Sequence, residues 1–205
     1  MKVIVRMCCI TALLGVTLFS LATRAEIEKT VAPCDSGTCL YWWPKLPQIK
    51  GWHQDKDQSF NSGISAWAPN GHSFVNADAV IYAIATYKPT VPETKTLVNF
   101  ISADTSRFIV SDPTISITEE KQLVTADGQK LRSFTFLPES KGSWEVVSYG
   151  EEGNYYLTFV LSARSKEGFE KAQAAYRQLI SGYRAKSRPS SSSTRAALNV
   201  GKKPA

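Results

Sequence analysis

Residues 142–184 constrain the fold more than any other stretch, because they hold a strand, a tight turn, a second strand and a long amphipathic helix in one run. In residues 155–163 one face carries Tyr155, Leu157, Phe159, Leu161 and Ala163, and the other carries Tyr156, Thr158 and Val160. That period of two, apolar on one side and mixed on the other, suits a strand inside a sheet. Upstream, residues 143–149 have the Trp144, Val146, Val147 and Tyr149 content of a partner strand, and Gly150-Glu151-Glu152-Gly153-Asn154 supplies a hairpin loop. Ser165 then offers a hydroxyl to the first free amides of a helix, with Glu167 and Glu170 set against the positive end of its dipole. Phe169, Ala172, Tyr176, Leu179, Ile180 and Tyr183 recur at three and four residues and draw one stripe that the preceding hairpin must cover. Lys166, Lys171, Arg177, Gln178 and Arg184 fall on the remaining surface and read as a solvated face.

Residues 64–68 form a short strand closed by Pro69-Asn70-Gly71. Residues 79–87 are apolar on both faces, which places them in the middle of a sheet. Residues 94–110 predict a helix with Leu97, Phe100, Ile101 and Phe108 inward, ended by Asp112-Pro113. Residues 114–125 and 130–137 flank Asp127-Gly128, a strong hairpin signal. Residues 52–60 are polar and read as an edge strand or loop. Strands, helix, strands, helix is the order of an α+β single domain, an antiparallel sheet flanked by helices.

At the N-terminus Lys2 and Arg6 precede an uncharged run, residues 7–22, and Thr23-Arg24-Ala25 follows. This is the pattern of a secretory signal peptide over residues 1–25, cut after Ala25 or after Ala22, with an uncleaved anchor as the alternative. Cys8 and Cys9 lack the small residues of a lipobox before them, and no later stretch is apolar enough to span a bilayer. The expected location is therefore periplasmic.

Charge looks like a partner signal until it is placed. Lys2, Arg6 and Arg24 give the leader +3, and Lys186, Arg188, Arg195, Lys202 and Lys203 give residues 185–205 +5, so residues 26–184 carry −2 of the total +6. A slightly acidic folded part lacks the basic stripe that nucleic-acid binding needs. The basic tail holds four consecutive serines, Ser190 to Ser193, and too little apolar surface to order itself. Weak contact with an anionic envelope surface is the partner its charge suits.

Only Cys34 and Cys39 follow the leader. In an oxidising compartment they suit a structural disulfide closing a small loop, worth about 2 kcal/mol in the chain-entropy model. A redox pair or a metal site is the alternative, against which stand the four intervening residues and the absence of further ligands nearby. Next comes Leu40-Tyr41-Trp42-Trp43-Pro44-Lys45-Leu46-Pro47, then Gly51-Trp52, an extended arm over residues 26–50 that leads into the domain at 51–184. Its indoles either cover an edge of their own domain or offer Trp42, Trp43 and Trp52 as a binding platform.

The chemistry-bearing residues are few. His53 and His72 are the two histidines, in no metal or triad spacing, and no nucleophile elbow, His-Glu-x-x-His or phosphate-cradling loop occurs. The adjacent acids Glu119-Glu120 and Glu151-Glu152 point to opposite strand faces and read as solvation and edge protection. A catalytic set assembled near His53, Asp55 and His72 would make the protein a periplasmic hydrolase of an envelope polymer or ester. The favoured reading is a non-catalytic binding or accessory protein that uses no cofactor and docks an envelope protein or small ligand through the aromatic arm, with His53 and His72 beside it.

One resemblance supports that reading. Gly51-Trp52, the strand closed by Ala68-Pro69-Asn70-Gly71, the central residues 79–87, the middle helix, the paired hairpins and the closing helix Phe169…Tyr176-Arg177-Gln178-Leu179-Ile180…Tyr183-Arg184 resemble the PsbP-like α/β/α sandwich. The resemblance covers roughly residues 51–184 and rests on element order. It implies a docking or assembly domain with no shared catalytic residues, and the 34–43 arm departs from its pattern.

Overall fold

The structure is a computed structural model that describes residues 27–34, 37–139 and 142–185. The expected leader over residues 1–25 and the expected tail beyond Ala185 lie outside the described residues. The chain forms β1 (Ile27–Cys34), β2 (Gly37–Pro44), β3 (Trp52–Gln54), α1 (Lys56–Ser62), β4 (Ser65–Pro69), β5 (Ala79–Tyr87), α2 (Leu97–Ser111), β6 (Ser116–Val124), β7 (Lys130–Leu137), β8 (Trp144–Glu152), β9 (Tyr155–Ala163) and α3 (Lys166–Gly182). Seven strands make one antiparallel sheet in the order β3-β4-β5-β9-β8-β7-β6, while β1 and β2 pair separately as a hairpin. The fold is α+β, with a seven-stranded antiparallel sheet and three helices.

The alternation of strand side chains explains how the sheet feeds two cores. Ile81 and Ala83 of β5, Val146 of β8, and Leu157, Phe159 and Leu161 of β9 join Phe169, Ala172, Tyr176, Leu179 and Ile180 of α3 in one cluster. The residues between them, Val147 and Tyr149 of β8 and Val160 of β9, join Phe134, Phe136 and Ile101 in a second cluster, with Leu97, Phe100 and Phe108 of α2 packed on it. The β5 and α3 patterns predicted from sequence are those observed, down to the ends of the strand. Ser165 caps α3 by accepting from the Gly168 amide at 3.0 Å, and Thr96 caps α2 by accepting from Asn99 at 3.2 Å.

Three local expectations change. The polar stretch after β3 folds as the short helix α1, because Asp55 caps it: its Oδ1 accepts from the Gln58 amide at 3.0 Å. The five-residue loop expected over 150–154 shrinks to a two-residue turn, with Glu152 pairing Tyr155, so β8 runs three residues further. Gly150 is kept within the strand by close approach: a Cβ there would stand 2.5 Å from the Leu131 side chain. At the other hairpin, Gly128 takes the left-handed φ of +87° that its turn requires. Finally, the arm is a hairpin rather than an isolated extended segment, and Pro44 ends its second strand.

Candidate functional site

The arm packs against its own domain. Trp43 is 4% exposed and meets Phe60 edge-on at 5.7 Å between ring centroids. That burial corrects the platform expectation for Trp43, since an indole enclosed by α1 has almost no face to offer a partner. Trp42 and Trp52 are half-buried on the α3-side cluster, and Trp42 lies 6.1 Å from the Tyr87 ring. Ile49 completes the seal at 3% exposed. Cys39 is disulfide-bonded, whereas the side chain of Cys34, its expected partner, lies outside the described set.

His53 and His72 are both exposed, and neither lines either of the two cavities below. Asp55, the carboxylate expected beside them, is occupied: its oxygens accept from the Phe74 amide at 2.9 Å and the Gln58 amide at 3.0 Å. Those two amides hold its pKa below the ordinary 3.8, with the nearby His53 a lesser cause. A carboxylate so committed is a structural cap, poorly suited to taking a proton from a nucleophile.

A cleft of about 310 Å³ lies between α3 and the β6–β7–β8 part of the sheet, and Ser133, Thr135 and Tyr176 bring hydroxyls to its lining. Ser133 and Ser148, partners across β7 and β8, stand 2.7 Å apart at 1% and 0% exposure. The Tyr176 hydroxyl, delivered by α3, lies 2.8 Å from Ser148 Oγ and 2.9 Å from the Phe159 carbonyl. One phenolic proton serves one of those acceptors fully, so the chain has two consistent orientations. Donation from Tyr176 to Ser148 and on to Ser133 frees the Ser133 proton for a further acceptor, whereas donation from Tyr176 to Phe159 reverses the chain and frees a Ser133 lone pair.

Leu123 and Val146 give the cleft apolar walls, and Glu120, Lys121, Gln173 and Arg177 form its mouth. Lys121 follows Glu120 at the bulge where the β6–β7 register shifts between Glu120 and Leu123. Gln173 and Arg177 stand one turn apart on α3, and Arg177 is one of the residues that the sequence presents as merely solvated. None of the cleft residues was legible as functional. Polar strand residues such as Ser133 carry no periodic signal, and only the sheet register brings them under Tyr176.

A smaller cavity of about 190 Å³ lies on the other sheet face under α2, between Phe100, Phe108, Tyr82 and Val160. At its edge the Tyr149 hydroxyl donates to Asp104 at 2.7 Å. Nearby, burial raises the Glu145 pKa above the ordinary 4.5, opposed by the Ser162 hydroxyl that donates to it at 2.7 Å and reinforced by Asp104. The acid pairs also resolve individually. Glu119 holds Arg132 through two 2.9 Å contacts and Glu151 meets Lys88 at 2.7 Å, as edge and surface charges should. Glu152 departs from the solvated expectation: it is 8% exposed and accepts from the Tyr183 hydroxyl.

With this geometry in view, the class of protein is an α+β domain with a hydroxyl-lined cleft. No family model matches the chain, and no curated protein is significantly similar to it. Among the described residues no helix is long and apolar enough to cross a membrane.

Proposed function

We propose that this is an exported, non-catalytic binding protein of the bacterial cell envelope, built as a PsbP-like α/β/α sandwich, that holds a small polar ligand in the cleft beneath α3. The single observation that carries the reading is the adaptable hydroxyl chain Ser133–Ser148–Tyr176 ending in the lining of that cleft. Enclosed polar groups that point into a concave site select ligands by hydrogen bonding, and a site of about 310 Å³ sits at the small end of ligand pockets. The α2 and α3 clusters on alternate strand faces support the sandwich. The uncharged run after Lys2 and Arg6 supports export. The arm then acts as a seal rather than as the docking surface, because Trp43 is built into the core.

A thermal-shift screen of small metabolites against the full chain tests the reading, with Gln173→Tyr, which fills the cleft mouth, as control. A ligand that raises Tm in the wild type and fails to do so in the variant is the expected result. A substrate consumed at equal rates by both proteins would overturn the non-catalytic cleft reading.

A further inference from the structure

Resting on the cleft reading, we infer that the ligand is a small zwitterion of amino-acid type, its carboxylate held by Arg177 and Lys121 and its ammonium by Glu120. Several surface cations are already satisfied by carboxylates. Arg132, Lys88, Lys166 and Lys171 each meet a carboxylate within 2.9 Å. Arg177 of α3 and Lys121 of β6, which both line the cleft, have no such partner among the described residues. Two unpaired cations bordering a concavity with a hydroxyl lining favour an anion, and a guanidinium fork matches a carboxylate in geometry as well as charge.

A simple acid would meet an obstacle in Glu120. This carboxylate lines the same cleft, and the hydrogen bond it makes there is a long one from the Thr135 hydroxyl, 3.3 Å to Oε1. Its remaining acceptor capacity faces the ligand space. An anion without a positive group would be repelled by it, whereas a ligand that carries an ammonium close to its carboxylate turns the repulsion into a contact. Both signs at the mouth and neutral hydroxyls in the lining are the complement of a zwitterion. Leu123 and Val146 provide an apolar wall for a short side chain, and the volume of about 310 Å³ suits a ligand of amino-acid size.

Isothermal titration of the full chain tests this with a panel of L-amino acids, each paired with the same acid lacking its amine, and with a neutral hexose. At least one amino acid is expected to bind, with roughly a tenfold or greater preference over its deaminated partner, the effect of one charge-assisted contact. Glu120→Gln should erase that preference while leaving the deaminated acid bound as well or better. Arg177→Gln should weaken both by about tenfold or more. These side chains are exposed, so an unchanged Tm verifies that each variant folds. Failure of every amino acid to bind would overturn the ligand class, as would a preference that survives Glu120→Gln. If another ligand from the thermal screen is still lost in Gln173→Tyr, the cleft reading stands without the zwitterion. If no ligand depends on Gln173, both fall.

Discussion

Replacing Trp43 by alanine separates an arm that belongs to the core from one displayed for a partner. At 4% exposure the indole buries nearly all of its surface, with Phe60 edge-on against it. A buried tryptophan removes about 150–250 Å² from water, worth about 4–6 kcal/mol at 25 cal/mol per Å². Alanine keeps a fraction of that, so the expected loss is about 3–5 kcal/mol. In a domain of this size that lowers Tm by about 6–20 °C. Trp42→Ala provides the internal comparison. Its ring is half-buried, and its indole nitrogen is buried without an acceptor. Removing the ring removes that unsatisfied donor, which offsets about 1–3 kcal/mol of the lost burial. Guanidinium denaturation followed by far-UV circular dichroism, with midpoint and slope both fitted, reads the two variants. Trp43→Ala should be the more destabilising by about 2 kcal/mol or more, on the same arithmetic. A Trp43→Ala protein within about 1 kcal/mol of the wild type would refute the claim that the hairpin closes the core.

Three further perturbations follow from the same structure. Glu145→Gln keeps an acceptor for the Ser162 hydroxyl and removes a half-buried charge. Because the folded-state pKa is raised above 4.5, the stability linked to this carboxyl is fully present below the unfolded value and is lost as pH rises through the folded one. Urea midpoints should therefore show the variant gaining on the wild type at pH 7 and matching it near pH 3; a constant difference would count against the burial argument. Asp55→Ala removes both the α1 cap and the Phe74 contact and should cost about 1–2 kcal/mol at pH 7. With its folded pKa held below 3.8, that cost should fade only in strong acid, as pH falls through the folded pKa; full persistence at pH 2 would contradict the assignment. Gly150→Ala places a methyl 2.5 Å from Leu131 and should cost about 1–3 kcal/mol by overpacking, measured by differential scanning calorimetry, with a neutral result showing that Leu131 can move aside.

Much of this architecture was legible in the chain, for identifiable reasons. The strand Ala79–Tyr87 is apolar on both faces and proved interior to the sheet. The stripe from Phe169 to Ile180 is spaced for one helix face and is buried. Asp127-Gly128 is a local turn whose chemistry needs no tertiary context. What escaped depends on partners distant in sequence. Glu152 becomes a buried acid because Tyr183 arrives from the end of α3. Gly150 stays in a strand because Leu131 and Gln129 cover it. The cleft escaped most completely: Ser133 and Tyr176 line it from two elements and meet through the buried Ser148 of a third, and Arg177, which periodicity assigns to solvent, lines it as well.

The pairing of β5 with β9 bears on when this chain becomes a protein. Ala79 pairs with Ala163 and Tyr87 with Tyr155, so the seam at the sheet's middle joins segments made far apart in time. Until the last strand is synthesised, β5 has β4 on one side and an open hydrogen-bonding edge on the other, and the α3-side cluster that its apolar face joins is incomplete. Closing such a long loop is slow compared with forming hairpins or helices. The architecture thus postpones commitment of the sheet until the C-terminal segment is present.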